Sequence, residues 1–432
     1  MGSSNEHIVD IEQISTSIEK ELEILHPLSD ECCIYRVPNI LRRSNEEAYT
    51  PQEVSIGPLH HGRPELKPME EIKRRYLQEF LLLSNSTMSL KEYVKFIEER
   101  ETKLRNCYAE TIEMNSEDLV KMILIDSAFL IMVFLKFSCK ELQTGNDRLF
   151  SKPWKEFDVR YDMILLENQL PFFILKDLFD VSDIRNKLQL QGLSLLKLTH
   201  EFLKIKWKSW VTDEVSEEHN FSQVHHILDF LRICRRPSST MQMESKLSKQ
   251  IFLHAPSATQ LHQAGVKFEL SPSKNKFDIQ FEHGILKIPR LRVTKRTEFY
   301  LRNLQAFEQC HCNDDNRYTS DYIAFITMLV RTTKDVEVLA QSGVAQNRLR
   351  NNDTMSSLLN NLGTGNFVSR TRFHFSDIVE ELNKYCENSL HKWKATLKQD
   401  YFNTPWAGIS VATAAILLLL TLIQTVCSII QI

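Results

Sequence analysis

Glycine is scarce in this chain: 11 residues in 432, against an average usage of about 7%. Phosphate-cradling loops and the tight turns of nucleotide-binding α/β sheets depend on glycine. Neither G-x-x-x-x-G-K-[ST] nor G-x-G-x-x-G occurs. The one G-x-G, Gly363–Gly365 in "NNLGTGNF", follows a short helical pattern and reads as a loop. Charge of either sign is not in surplus: Lys+Arg 53 against Asp+Glu 56 leaves −3, with no electrostatic footprint for nucleic acid. The motifs H-E-x-x-H, G-x-S-x-G and C-x-x-C are absent. The first residues, "MGSSNEHIVDIEQ", lack the apolar core of a signal peptide. Gly2 is followed by Glu6 where a myristoylation motif needs Ser or Thr. The nine cysteines are odd in number and scattered, which fits reduced thiols better than a disulfide framework.

The most conspicuous absence is of charge after Asp400. Ala407 to Ile430 is an apolar run of 24 residues, roughly 36 Å long as a helix and sufficient for a hydrocarbon core of roughly 30 Å. The pattern predicts a transmembrane anchor over 403–432, with Trp406 at the interface and Ala407, Ile416, Leu417, Leu418, Leu419, Leu420 and Ile430 in lipid. Lys392, Lys394 and Lys398 precede the run and nothing charged follows it. The positive-inside rule then predicts a single-pass protein of the plasma membrane or another endomembrane, with its large domain in the cytosol. Sequons at Asn85, Asn220 and Asn352 would carry glycans only in the opposite orientation. A second apolar run, Leu119–Phe137, contains Lys121, Asp126 and Lys136 and predicts a buried core helix instead.

Elsewhere the periodicity is mostly helical. An amphipathic helix is expected over 8–25, then a Pro-rich irregular stretch over 34–64. Helices follow over about 66–83, 89–113, 117–142 and 159–180, the last kinked or broken by Pro171. Others are expected over 190–211, 221–233, 296–309, 319–342 and 373–402. The basic stretch 232–246 reads as a flexible loop, and its Arg235-Arg236-Pro237-Ser238 step suits a basophilic kinase as well as a solvated turn. Over 266–293 the period changes to that of strands, predicting a small antiparallel β element. The expected fold class is mainly α, with an N-terminal extension (1–33), one large helical domain (34–402) and the anchor.

Candidate chemistry is sparse. His60-His61 in the loop "GPLHHG" offers an acid–base pair or two metal ligands; a hydrogen-bonded turn is the plainer reading. Glu167-Asn168-Gln169 lies between apolar runs, where three polar groups demand partners; Glu167 acting with a distant histidine is the catalytic alternative to a structural network at Pro171. Cys310-His311-Cys312, followed by Asp314-Asp315, resembles part of a zinc site, with Cys32-Cys33 the other cysteine cluster. No cofactor is implied.

Several phrases in order carry a resemblance: "IYRVPNILR" (34–42), "AYTPQEVSIGPLHHG" (48–62), "MEEIKRRYLQEFL" (69–81), "DMILLENQLPFFIL" (162–175), "SATQLHQAGVKF" (257–268), "LRNLQAFEQC" (301–310) and the terminal run. Together they closely resemble the plant family of domain of unknown function 247. The resemblance implies a plant protein with one large helical domain and a C-terminal anchor, and no established enzyme activity. Some grass relatives look like pollen-side determinants of self-incompatibility, and the family is often drawn with its domain outside the cell, against the lysine argument. The reading is therefore a membrane-anchored interaction or signalling protein with a protein partner and the membrane as its surroundings. Its rivals are a membrane-associated hydrolase or transferase using His60, His61 and Glu167, and a cell-recognition determinant.

Overall fold

A computed structural model describes residues 10–24, 29–84, 88–190, 192–207, 224–235, 254–369, 372–387 and 405–430. Helix α1 (Ile11–Ile24) stands at the N-terminus. The helices α2 (Lys67–Ser84), α3 (Leu90–Glu98), α4 (Glu101–Asn106), α5 (Ser116–Ser138), α6 (Pro153–Asp162), α7 (Phe172–Val181), α8 (Leu195–Trp207) and α9 (Ile227–Ile233) follow. Then come α10 (Ala258–Gln263), strands β1 (Lys267–Ser271), β2 (Gln280–Glu282), β3 (Ile285–Pro289) and β4 (Leu291–Val293), and α11 (Lys295–His311), α12 (Tyr318–Leu329) and α13 (Thr333–Gln341). The order closes with β5 (Ala345–Asn347), α14 (Asn352–Leu362), α15 (Ser376–Glu387) and α16 (Pro405–Ile430).

Helix α5 is the centre. Every residue from Met122 to Lys136 is buried, and α2, α3, α7 and α8 pack around it. Its charges are buried with partners, the condition under which a core tolerates them. Asp126 meets Lys73 Nζ at 2.5 Å and accepts the Gly57 N–H at 2.9 Å. Lys136 Nζ lies 2.6 Å from both Asp147 and Glu79.

Helix boundaries depart from the periodicity where capping groups intervene. The stretch 89–113 is two helices, α3 and α4. The stretch 319–342 divides at Thr332, whose capping box with Asp335 starts α13. Pro171 does not kink a helix: α6 ends at Asp162, and Pro171 is the residue before α7. A proline there loses no helical hydrogen bond, because the first-turn N–H groups have no intrahelical partner.

The β element is mixed rather than antiparallel. β2 and β3 form a hairpin through His283 and Gly284, both at positive φ (52° and 77°), and pair antiparallel. β3 also pairs parallel with β1, so the order is β1-β3-β2. β4 pairs parallel with β5, more than fifty residues along the chain; short strands met that late leave no local period to read.

The anchor is the larger correction. Residues Pro405–Ile430 form a helix, but among the described residues no helix is long and apolar enough to cross a membrane. The transmembrane span, the single-pass membrane localisation and the topology drawn from it are therefore not supported. Of the sequons, Asn352 opens α14, half-buried, with its Oδ1 accepting from Asn347 Nδ2 at 3.0 Å; Asn85 and Asn220 lie outside the described residues, as do residues 388–404 and 236–253.

Candidate functional site

The segment Met163–Pro171, between α6 and α7, is not helical, and its peptide groups need partners other than helical ones. Glu167, Asn168 and Gln169 supply them, each buried to 2% or less. Asn168 Oδ1 accepts the Ile56 N–H at 2.7 Å, and its Nδ2 donates to the carbonyls of Val54 and Asp162, each at 2.9 Å. Gln169 Nε2 donates to Met163 and Leu165 carbonyls, and its Oε1 accepts the Leu228 N–H. Asp162 accepts three consecutive N–H groups, of Gln52, Glu53 and Val54. Asn303 on α11 accepts from Leu166 and donates to the Ala48 carbonyl. The stretch 34–64, which carries only the short helix Asn39–Arg42 and single 3-10 turns, is thus held by side chains from α6, α11 and the 163–171 connection.

His60 is buried against this network, with neither ring nitrogen hydrogen-bonded among the described residues, and His61 is not. Gly57, at φ 74° and ψ −176°, turns the chain into a single 3-10 turn, Pro58–His60. That backbone region is essentially glycine-only, and a Cβ at Gly57 would meet the Gln169 carbonyl oxygen at 2.6 Å. The turn drives His60 inward, to 2% exposure, and leaves His61 in solvent. His60 Nε2 lies 3.3 Å from Glu167 Oε2. Glu167 Oε1 accepts the Val37 N–H at 2.6 Å and pairs with Arg42. Burial lowers the His60 pKa, and Glu167 only partly opposes this. Burial pushes the Glu167 carboxyl up, but the contacts from His60, Val37 and Arg42 more than reverse it and hold it below its ordinary value. A neutral imidazole beside a carboxylate can pass a proton. Here both side chains are 1% exposed, so a substrate atom has no contact with either.

Cys310, His311 and Cys312 sit at the end of α11 and do not converge. Among the described residues no group of three or more His, Cys, Asp or Glu is placed to hold a metal ion. Burial pushes the thiols of Cys310 and Cys312 up to about 11 and about 12. Asp314 and Asp315 pair instead with Arg317 and Arg372.

His311 belongs to a half-buried cluster that the sequence reading missed. Its Nδ1 lies 3.0 Å from the Tyr35 hydroxyl, which also lies 3.1 Å from the Cys32 carbonyl. The His311 ring stacks on Phe307, and the edge of His225 approaches it with centroids 4.7 Å apart. His225 Nδ1 contacts Asp229 Oδ2 at 2.9 Å, and Arg232 Nε donates to Asp229 Oδ1 at 3.0 Å. His226, fully buried, accepts the Asp229 N–H on Nδ1 and reaches the Cys33 carbonyl with Nε2 at 3.1 Å. Burial lowers His226 to about 3 and His311 to about 4, with neighbouring His225 adding to each. The only sequence signal is a His three residues before an Asp at a helix start, an N-cap arrangement easily mistaken for composition.

Comparison with known proteins agrees with the phrases quoted above. A UPF0481 protein of Arabidopsis thaliana is 28% identical in an alignment covering 93% of this chain and 87% of that protein. A putative UPF0481 protein of the same plant is 25% identical, over 95% and 93%. No solved structure matches the chain. Residues 34–420 match the family described as DUF247, plant protein of unknown function, and the chain belongs to that family.

Proposed function

We propose that this protein is a non-catalytic interaction module that engages a protein partner through α1. The observation that carries the reading is the exposed stripe Ile11, Ile14, Ile18 and Leu22, at 77%, 48%, 49% and 59% exposure. Their spacing places them on one face of the helix, and an isolated helix of this length is marginal without a surface to cover it. Asp10, Glu12 and Glu19 accompany the stripe, against Lys20 alone among its described charges. A second copy of the helix, or an anionic lipid surface, would face this acidic charge with like charge. The fitting partner is a protein with an apolar groove rimmed by Lys and Arg. The inaccessibility of His60 and Glu167 supports a binding role over hydrolysis or transfer.

The test uses the full chain. A partner enriched from plant extract is purified and rebound to wild type and to the double variant Ile14→Asp/Ile18→Asp. Binding weakened at least about 30-fold in the variant, and weakened for wild type by raised salt, supports the proposal. Equal binding by both proteins, or self-association that the variant abolishes, overturns it.

A further inference from the structure

Cys33 and Cys107 form a second buried cluster with Ile34 and Tyr108, apart from the main core. The Cys33 and Ile34 N–H groups both donate to the Cys107 carbonyl at 2.9 Å, and the Ala109 N–H donates to Ile34 O at 2.9 Å. These bonds make an isolated parallel bridge between Ile34 and Tyr108. The two chains therefore run alongside each other at the cysteines, within the backbone separation a disulfide spans. Cys33 and Cys107 are 2% and 3% exposed, and both are reduced in this structure. The neighbouring Cys107 thiol and burial hold the Cys33 thiol well above the ordinary range, and the Cys107 thiol donates to the Lys103 carbonyl at 3.3 Å. A pair so placed is protected from reagents while the bridge is closed and reacts when it opens.

From the paired backbones and the shared buried cluster we propose that Cys33 and Cys107 are a disulfide-forming site, which clips the start of the 34–64 segment to the end of α4. With glutathione disulfide as oxidant the step balances. One cysteine thiolate attacks a glutathione sulfur, forming a mixed disulfide and releasing one glutathione. The second thiolate displaces the other glutathione, giving the Cys33–Cys107 bond, and the two protons leave with the two glutathione thiols. The bond closes a loop of roughly 75 residues, long enough to stabilise the fold appreciably by restricting the unfolded chain.

Full-length protein is held in glutathione disulfide at a denaturant concentration just below the unfolding transition, then digested with trypsin without reduction. Cys32 shares a tryptic peptide with Cys33, so the measurement is made on wild type and on Cys32→Ser, a change at a half-buried position that leaves the pair intact. The expected result is a thiol-reducible species joining peptides 21–36 and 106–121 in both proteins, with a thermal midpoint raised by about 5 °C. The proposal is overturned if the joined species disappears in Cys32→Ser. It is equally overturned if Cys33 and Cys107 remain separately alkylated or separately glutathionylated in that variant.

Discussion

The Val37 N–H donates to Glu167 Oε1 at 2.6 Å, across 130 positions of sequence. The same carboxylate holds Arg42 and faces His60, so one side chain fastens both ends of the 34–64 stretch. Truncating one partner of a buried charge leaves the others unpaired. Glu167→Ala should destabilise the fold by about 3–5 kcal/mol, and Glu167→Gln by less, because the amide oxygen still accepts from Val37. Urea unfolding checks this. A Glu167→Ala protein as stable as wild type would remove the structural role and return the carboxylate to the catalytic reading.

The turn before His60 gives a paired comparison. Gly57→Ala combines a glycine-only backbone conformation with a Cβ 2.6 Å from the Gln169 carbonyl oxygen, and should cost about 2–4 kcal/mol. Gly62→Ala, at φ 82° with nothing within 4 Å, should cost about 1–2 kcal/mol. Denaturant midpoints of the two variants check the order, and equal losses would show that the close approach does not contribute.

Stability should fall in mild acid because of His226. Its pKa is lowered from 6.5 to about 3 by burial, so the unfolded chain takes up a proton near pH 6.5 that the folded chain refuses. Stability from this group is complete above pH 6.5 and is lost as pH falls from there towards 3. At pH 5 the loss is about 2 kcal/mol. The lowered His311 acts in the same sense. Unfolding measured at pH 8 and pH 5 should show a smaller difference in His226→Gln than in wild type, and an identical pH slope would contradict the assignment.

Ile14→Asp and Ile18→Asp should leave global stability within about 0.5 kcal/mol of wild type, since both side chains are exposed. A larger loss in thermal unfolding would mean that α1 is covered by the rest of the chain rather than by a partner.

Much of the helical framework was legible in the sequence because its signal is local. The run Leu119–Phe137 reads as core from its length and its three charges, and α5 is buried as that reading requires. What could not be read there was why Asp126 and Lys136 are tolerated: Lys73 and Glu79 come from α2, and Asp147 follows α5. Glu167-Asn168-Gln169 stood out as polar among apolar residues and demanded partners, yet its place outside any helix depends on Pro171 starting α7 instead of interrupting it. His60 and His61 are indistinguishable as letters; the turn at Gly57 separates them into one buried and one exposed residue. The terminal run misled because an uncharged composition suggests a span, whereas the described helix does not supply one.

The sequence by itself determined the family, the mostly helical character and the apolar stripe of α1, all of which follow from residue type and spacing along a continuous stretch. Only the tertiary structure decided which polar groups meet. Glu167 with Val37 and Arg42, Asp162 with residues 52–54, Tyr35 with His311 and Cys33 with Cys107 are all separated by many turns of chain. The physical reason is that a buried hydrogen bond is satisfied by proximity and direction in space, and neither leaves a period in the order of residues.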